Sequence, residues 1–412
     1  MITPRNFNFI YVVIFLLLLL NLPNKLEAKT PGLPLKIDKI DASLQEVAKG
    51  DFRIMVDGEP LERISGAELP VLRDLEIKLQ DKQSSDPEAR QELNALMIAM
   101  ARIADEPTLI YLHELFESYP ERRNDVAEAI SWYARENQRR DADWRILVRS
   151  LNVVEGKQAQ AVMQALTRFR RRSNKAQWIR QVILVGLQQD QEGQEIAVEL
   201  LEHWTGHKQE QSNPAGQNTL QSWQKWFHEK YPDELEAVLP VEPADTRWKY
   251  QDLLAELKKR SAEPADLKLG EKAFVKATCV KCHQFGKVGE KVGPDLTHVG
   301  RRFQKKEILR ATLFPSHFVS EEYPTFTIVT KDGKTFTGMM GAAGRDEILL
   351  LTSEGKRQTI PKADLDEIVP VKKSSMPEGL LNLLSREEAV QLIQYLAKLP
   401  EGASARYRHT TR

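Results

Sequence analysis

Cys279-Val280-Lys281-Cys282-His283 is the stretch on which the reading of this chain turns. The chain has 412 residues and only two cysteines, and both stand here. A cysteine pair three positions apart, followed at once by histidine, is the spacing of covalent haem attachment. Two thiols on one helical turn can add to the vinyl groups on one porphyrin edge, and the imidazole of His283 then reaches the iron from one face. Other uses of the pair fit less well. A disulfide redox centre places C-x-x-C at a helix N-terminus in a βαβ setting, whereas here a helical pattern, Glu271 to Lys276, comes before it. Tetrahedral zinc needs four ligands, and there is no second cysteine pair. A reduced structural pair suits an exported chain poorly. The expectation is one covalent haem c, held by Cys279 and Cys282, with His283 on the iron.

Working downstream, Gly293-Pro294-Asp295-Leu296 supplies a stiff turn. An iron-bound histidine needs an acceptor on its other ring nitrogen, which fixes the tautomer and raises basicity, and the Pro294 carbonyl is the candidate. A second axial ligand is sought among the methionines, because a soft thioether suits electron transfer. Met376 lies in Lys373-Ser374-Ser375-Met376-Pro377, a loop before the last helical pattern, and is the candidate. Met339 and Met340 fall in a strand-like stretch and read as packing residues. His298 and His317 are weaker competitors. Arg301 or Arg302 could pair with haem propionates.

Between Ser316 and Pro370 the pattern changes from helix to strand. Thr325–Thr330 and Thr335–Met340 alternate around Lys331-Asp332-Gly333-Lys334, a hairpin signal. Glu347–Thr352 and Lys356–Ile360 repeat the scheme around Ser353-Glu354-Gly355, and Ile368–Val371 adds a further strand. This antiparallel β insertion, 316–370, sits between the two expected ligands, inside a haem domain spanning 265–400. Its plainest use is a scaffold shielding the haem edge; the other use is a docking surface.

Upstream the pattern is helical. Leu93, Leu96, Met97, Met100 and Ile103 form one apolar stripe, as do Val182, Ile183, Gly186 and Leu187, then Ile196, Leu200 and Leu201. Breaks at Asp86-Pro87, Glu106-Pro107, Tyr119-Pro120, Gly156, Ser173-Asn174, Asp190 and Gly206 cut residues 66–240 into helices of about 12–18 residues. Serial short amphipathic helices suggest a HEAT-like α-solenoid, with a compact bundle as the alternative. Trp223, Trp226 and Phe227 read as the core side of a closing helix. Residues 241–264 read as a linker helix, and 29–65 as an extension with a hairpin of Asp51–Val56 and Leu61–Ile64 about Asp57-Gly58-Glu59-Pro60. Residues 401–412 read as a flexible tail. At the start, Arg5, the apolar run Phe9–Leu20, Pro23, Lys25 and Ala28 read as a secretory signal peptide, 1–28. An uncleaved anchor is the alternative, but a span needs about 20 apolar residues. No cysteine near the run permits lipid anchoring. The chain is therefore expected outside the cytoplasm, in the periplasm, with no stable membrane span once the signal is removed. Lys plus Arg equal Asp plus Glu at 59 each, which argues against a nucleic-acid partner. The basic run Arg168–Arg172 then reads as a solvated face.

With these residues in view, 269–399 resembles class I cytochrome c. In that fold an N-terminal and a C-terminal helix cross at a glycine and an aromatic residue; Gly270 and Phe274 match the first helix, Tyr395 and Leu396 the last. More narrowly, CVKCH, GPDL (293–296), Asp332-Gly333 and SMPEGLL (375–381) resemble the haem-binding domain of exported planctomycete and verrucomicrobial proteins, which often carry HEAT-like helices. The resemblance implies covalent haem c with His283 and Met376 as axial ligands, and the Pro294 carbonyl bonded to His283. The expected function is an electron carrier that meets redox partner proteins rather than an enzyme, because a His/Met-ligated haem that passes single electrons needs no acid–base group or nucleophile of the protein. A haem enzyme or sensor with an open iron position, or a haem subunit of a dehydrogenase complex, is the alternative.

Overall fold

The structure is a computed structural model that describes residues 37–41, 53–56, 59–61, 69–82, 87–103, 106–136, 140–208, 219–242, 245–260, 263–317, 323–341, 344–352 and 354–398. The expected export segment, 1–28, and the tail, 401–412, lie outside the described residues. Among the described residues there are thirteen α-helices, and no helix is long and apolar enough to cross a membrane. The described residues are mainly helical with two small antiparallel sheets, of three and five strands.

Three short strands come first: β1 (Ile37–Asp41), β2 (Arg53–Val56) and β3 (Glu59–Leu61) pair antiparallel, with Val56 opposite Glu59. Nine helices follow: α1 (Leu69–Lys82), α2 (Pro87–Ile103), α3 (Glu106–Ser118), α4 (Arg123–Glu136), α5 (Asp141–Ser150), α6 (Gly156–Thr167), α7 (Ala176–Leu187), α8 (Gln191–Thr205) and α9 (Leu220–Lys230). Local chemistry sets several ends. The Asp190 carboxylate accepts the Gly193 N–H at 3.0 Å and starts α8, and Gly206, at φ 69°, ends it in the left-handed conformation. The Thr219 hydroxyl caps α9. These helices run from 10 to 17 residues, reaching below the expected range because the joints also bury apolar residues, such as Leu151, Val153 and Val154.

The helices α2, α4, α6 and α8 pack each on the next in a row, with α1, α3, α5 and α7 attached along it. Amides tie the row together. Asn94 Nδ2 and Gln158 Nε2 both donate to Glu128 Oε2, at 3.3 and 2.7 Å, and Gln160 Nε2 donates to Asp190 Oδ1 at 2.8 Å. Trp223 and Phe227 of α9 are buried, as their spacing implies.

The C-terminal part is built on α10 (Tyr250–Lys259), α11 (Leu267–Lys276), α12 (Lys305–Leu313) and α13 (Arg386–Leu396). They share one apolar core that includes Leu253, Leu257, Phe274, Leu309, Leu392 and Ile393. The expected linker helix is therefore part of this core: α10 buries its leucine face, and Trp248 Nε1 donates to the Leu384 carbonyl at 3.0 Å. Between α12 and α13 lies a five-stranded antiparallel sheet of β4 (Thr325–Thr330), β5 (Thr335–Gly341), β6 (Glu347–Thr352), β7 (Arg357–Pro361) and β8 (Leu365–Val371), in the order β7-β6-β5-β4-β8. Ile328, Ile348, Leu350 and Ile360 form its own small core.

Helix α12 fastens the C-terminal part to the helical row. Gln304 Nε2 donates to Pro120 O and Asn124 Oδ1, at 2.7 and 2.8 Å, the Lys305 N–H donates to Glu121 Oε1, and Arg310 Nη2 donates to Asn152 O. The Lys306 ammonium meets Glu155 at 3.1 Å.

Candidate functional site

The C-x-x-C-H stretch begins where α11 ends. Thr278 takes φ 62°, the one non-glycine residue among those described with positive φ, and a β-branched residue is strained there. That turn redirects the chain into a short 3-10 segment, Cys279–Lys281, and the His283 N–H donates to Cys279 O at 2.9 Å. The following loop is zipped back onto the motif through its backbone. Glu290 N–H donates to Val280 O, Val292 and Gly293 N–H to Cys282 O, and Leu296 N–H to Gln284 O. A Cβ at Gly289, where φ is 97°, would collide with the His283 carbonyl, so this close return needs glycine.

The return places Pro294 beside His283, with Nδ1 and the Pro294 carbonyl 2.9 Å apart. A carbonyl only accepts, so Nδ1 carries the proton and Nε2 keeps its lone pair. Burial pushes the His283 pKa down, partly offset by this bond, which favours the neutral ring that a metal ligand must be. Gly293 lies under the ring: a Cβ there would stand 3.0 Å from His283 Cε1. Phe285 packs its ring 4.4 Å from that of Tyr395 and joins the motif to α13, a role its local sequence does not announce. The only hint in sequence was its apolar character in a glycine-rich loop.

Both cysteines are free thiols. Burial pushes the Cys279 thiol up to about 12 and raises that of Cys282 as well. A disulfide exchange centre requires the opposite, a stabilised thiolate. Among the described residues, no three His, Cys, Asp or Glu side chains group to hold a metal ion. The donor set that remains is two thiols and one oriented neutral imidazole within five residues, which fits covalent haem attachment.

Met376 is half-buried, and its N–H donates to the Ser374 hydroxyl at 3.1 Å. Its neighbour Ser375 pairs with Thr325 of β4, hydroxyl to hydroxyl, at 2.9 Å. Met339 is half-buried, but Met340, expected to pack, is 41% exposed: β5 turns it away from the small core of its sheet. His298 is exposed, as are Arg301 and Arg302, the latter lying over the Phe303 ring.

His317 lines a cavity with Arg180, His228, Glu236 and Lys372, while its carbonyl accepts from Arg180 Nη2 at 3.2 Å. Burial, then the charges of Arg180 and Arg310, push its pKa down to about 4. A depressed histidine pKa stabilises the fold above the unfolded value, near 6.5, and that contribution is lost as pH falls toward 4. Unfolding midpoints are therefore expected to drop between pH 6.5 and 4.5. His317→Gln should remove about 1.5 kcal/mol of that drop, solvent screening a half-buried ring. An unchanged pH slope in thermal melts would show the ring to be uninvolved.

Neither a scan of family models nor a search of curated proteins returns a match for this chain.

Proposed function

We propose that this chain is an exported c-type cytochrome that carries single electrons between redox partner proteins. One observation carries the reading. His283 is held by the Pro294 carbonyl so that Nε2 is free and neutral, within one short turn of both cysteines in the chain. Cys279 and Cys282 would each add S–H across a vinyl C=C, forming two thioethers with no leaving group. A haem bound there supplies one-electron exchange at its iron. The chain's own part is to anchor it through two sulfurs, to fix the imidazole tautomer, and to offer the Met376 thioether as second ligand. Crossing α11 and α13 at Gly270 and Tyr395 supports the cytochrome c-like reading of 265–400. The row of α2, α4, α6 and α8 supports a HEAT-like platform for binding partners. The signal-like start, 1–28, supports export to the periplasm.

The test is expression of the full chain with and without c-type haem maturation machinery. Haem that survives denaturation, with a low-spin visible spectrum, is expected only with the machinery present. Absence of covalent haem would sink the reading. Met376→Ala should abolish the far-red thioether–iron band and lower the potential, since thioether ligation raises it. An unchanged spectrum would remove Met376 from the ligand set and favour an open iron position.

A further inference from the structure

We propose that the five-stranded sheet is a cap on the Cys282 edge of the haem c site, closed at one end by the Glu354–Lys356 turn and tied at the other to the Met376 loop. Its significance for electron transfer rests on the cytochrome reading above, but the cap itself is a property of the chain.

The turn joins β6 to β7, and Gly355 sits at φ 76° in it, held by its N–H to Thr352 O at 2.9 Å. A Cβ on Gly355 would lie 3.0 Å from Lys281 Cβ and 3.7 Å from Cys282 Sγ. The turn thus passes close over Lys281, where the lack of a side chain permits the approach, and lies beside the second cysteine. Across the same contact Arg357 Nη2 meets Glu290 Oε2 at 3.6 Å, joining β7 to the loop that returns to the motif. The Glu354 carboxylate is held below its usual range by Lys356, with a lesser contribution from Lys281.

The other end of the sheet is fixed too. Thr325, 2% exposed at the start of β4, bonds Ser375, and Val371 at the end of β8 stands opposite it. One small sheet, built on the core of Ile328, Ile348, Leu350 and Ile360, therefore has a turn beside the residue before His283 and a hydrogen bond to the residue before Met376. A cap so placed keeps water and large reactants from Cys282 and makes the sheet, rather than bare cofactor, the surface met on that side.

Thiol labelling of the full chain, made without maturation machinery and kept reduced, tests this. A small alkylating agent, iodoacetamide, is compared with a bulky polyethylene-glycol maleimide, and each cysteine is read by peptide mass spectrometry. The ratio of rates, referred to the denatured chain, reads access rather than thiol acidity. The bulky reagent is expected to be held back at Cys282 by about tenfold beyond the small one, as for a site reached by local opening. Gly355→Val should erase most of that difference, because valine disfavours this φ and its side chain would strike Lys281. Arg357→Ala should reduce it by a smaller factor, while Cys279, buried in the helical core, stays slow throughout. No size discrimination at Cys282 in the native wild type overturns the cap. So does discrimination that survives both substitutions. Failure to attach haem would leave this result intact and sink only the cytochrome reading.

Discussion

Gly270→Val is expected to destabilise the C-terminal part by about 3 kcal/mol or more, the cost of forcing extra carbons into a packed crossing. A Cβ at Gly270 would collide with Tyr395 Cβ and stand 2.7 Å from the Gln391 carbonyl. Neither neighbour is the flexible end of a side chain, so α11 and α13 must separate. Their separation opens the aromatic cluster of Phe274, Phe285 and Tyr395, whose rings lie 4.4 to 6.4 Å apart, and Phe285 belongs to the loop that orients His283. Stability of domains is about 5–15 kcal/mol, so the loss is a large fraction of it. Denaturant titration followed by tryptophan fluorescence should show the shift, and the yield of covalently attached haem should fall with it. Gly270→Ala, with one carbon fewer, should fall between. Wild-type midpoints for both variants would show that the crossing is loose and that the close approach at Gly270 carries no energy.

That crossing was expected through the resemblance to class I cytochrome c, on Gly270 and Tyr395, and not from any local pattern. The sheet was legible in the residues themselves. Alternation in Thr325–Thr330 and Thr335–Met340 around Asp332-Gly333 marks the first two strands to within a residue, since period two and a glycine at φ 81° are local properties, whereas the last strand, read as Ile368–Val371, begins at Leu365. The Pro294 bond to His283 was legible as a chemical requirement. What escaped was long-range. Nothing in Gln304, Lys306 or Arg310 distinguishes a helix docked on Pro120, Val153 and Asn152 from one facing solvent, because polar side chains serve both. The leucines of α10 read equally as a linker's stripe and as a domain's core. The strain at Thr278 has no residue signature, as threonine is uncommon in that conformation. The contact of Gly355 with Cys282 joins residues 73 positions apart, and its glycine is already accounted for by the turn.

His283→Ala is expected to separate anchoring from ligation. Both thiols remain, so haem should still be retained through denaturation after maturation. The low-spin spectrum should be lost, because the one imidazole oriented by the loop is gone. The fold itself should lose only about 1 kcal/mol, the net value of the hydrogen bond to Pro294. Gly293→Ala probes the same ring from below. Its Cβ would stand 3.0 Å from Cε1 and 3.1 Å from Nδ1, so the ring must shift by a few tenths of an ångström. Ligation should persist, while the bond to Pro294 weakens and the potential changes through a less basic imidazole. A structural role alone would make both variants melt earlier with the same spectrum. A ligand role predicts that the spectrum changes in His283→Ala and the potential in Gly293→Ala, while melting of the cofactor-free chain moves little in either. Visible spectra, redox titration and melts of the same three chains decide between them.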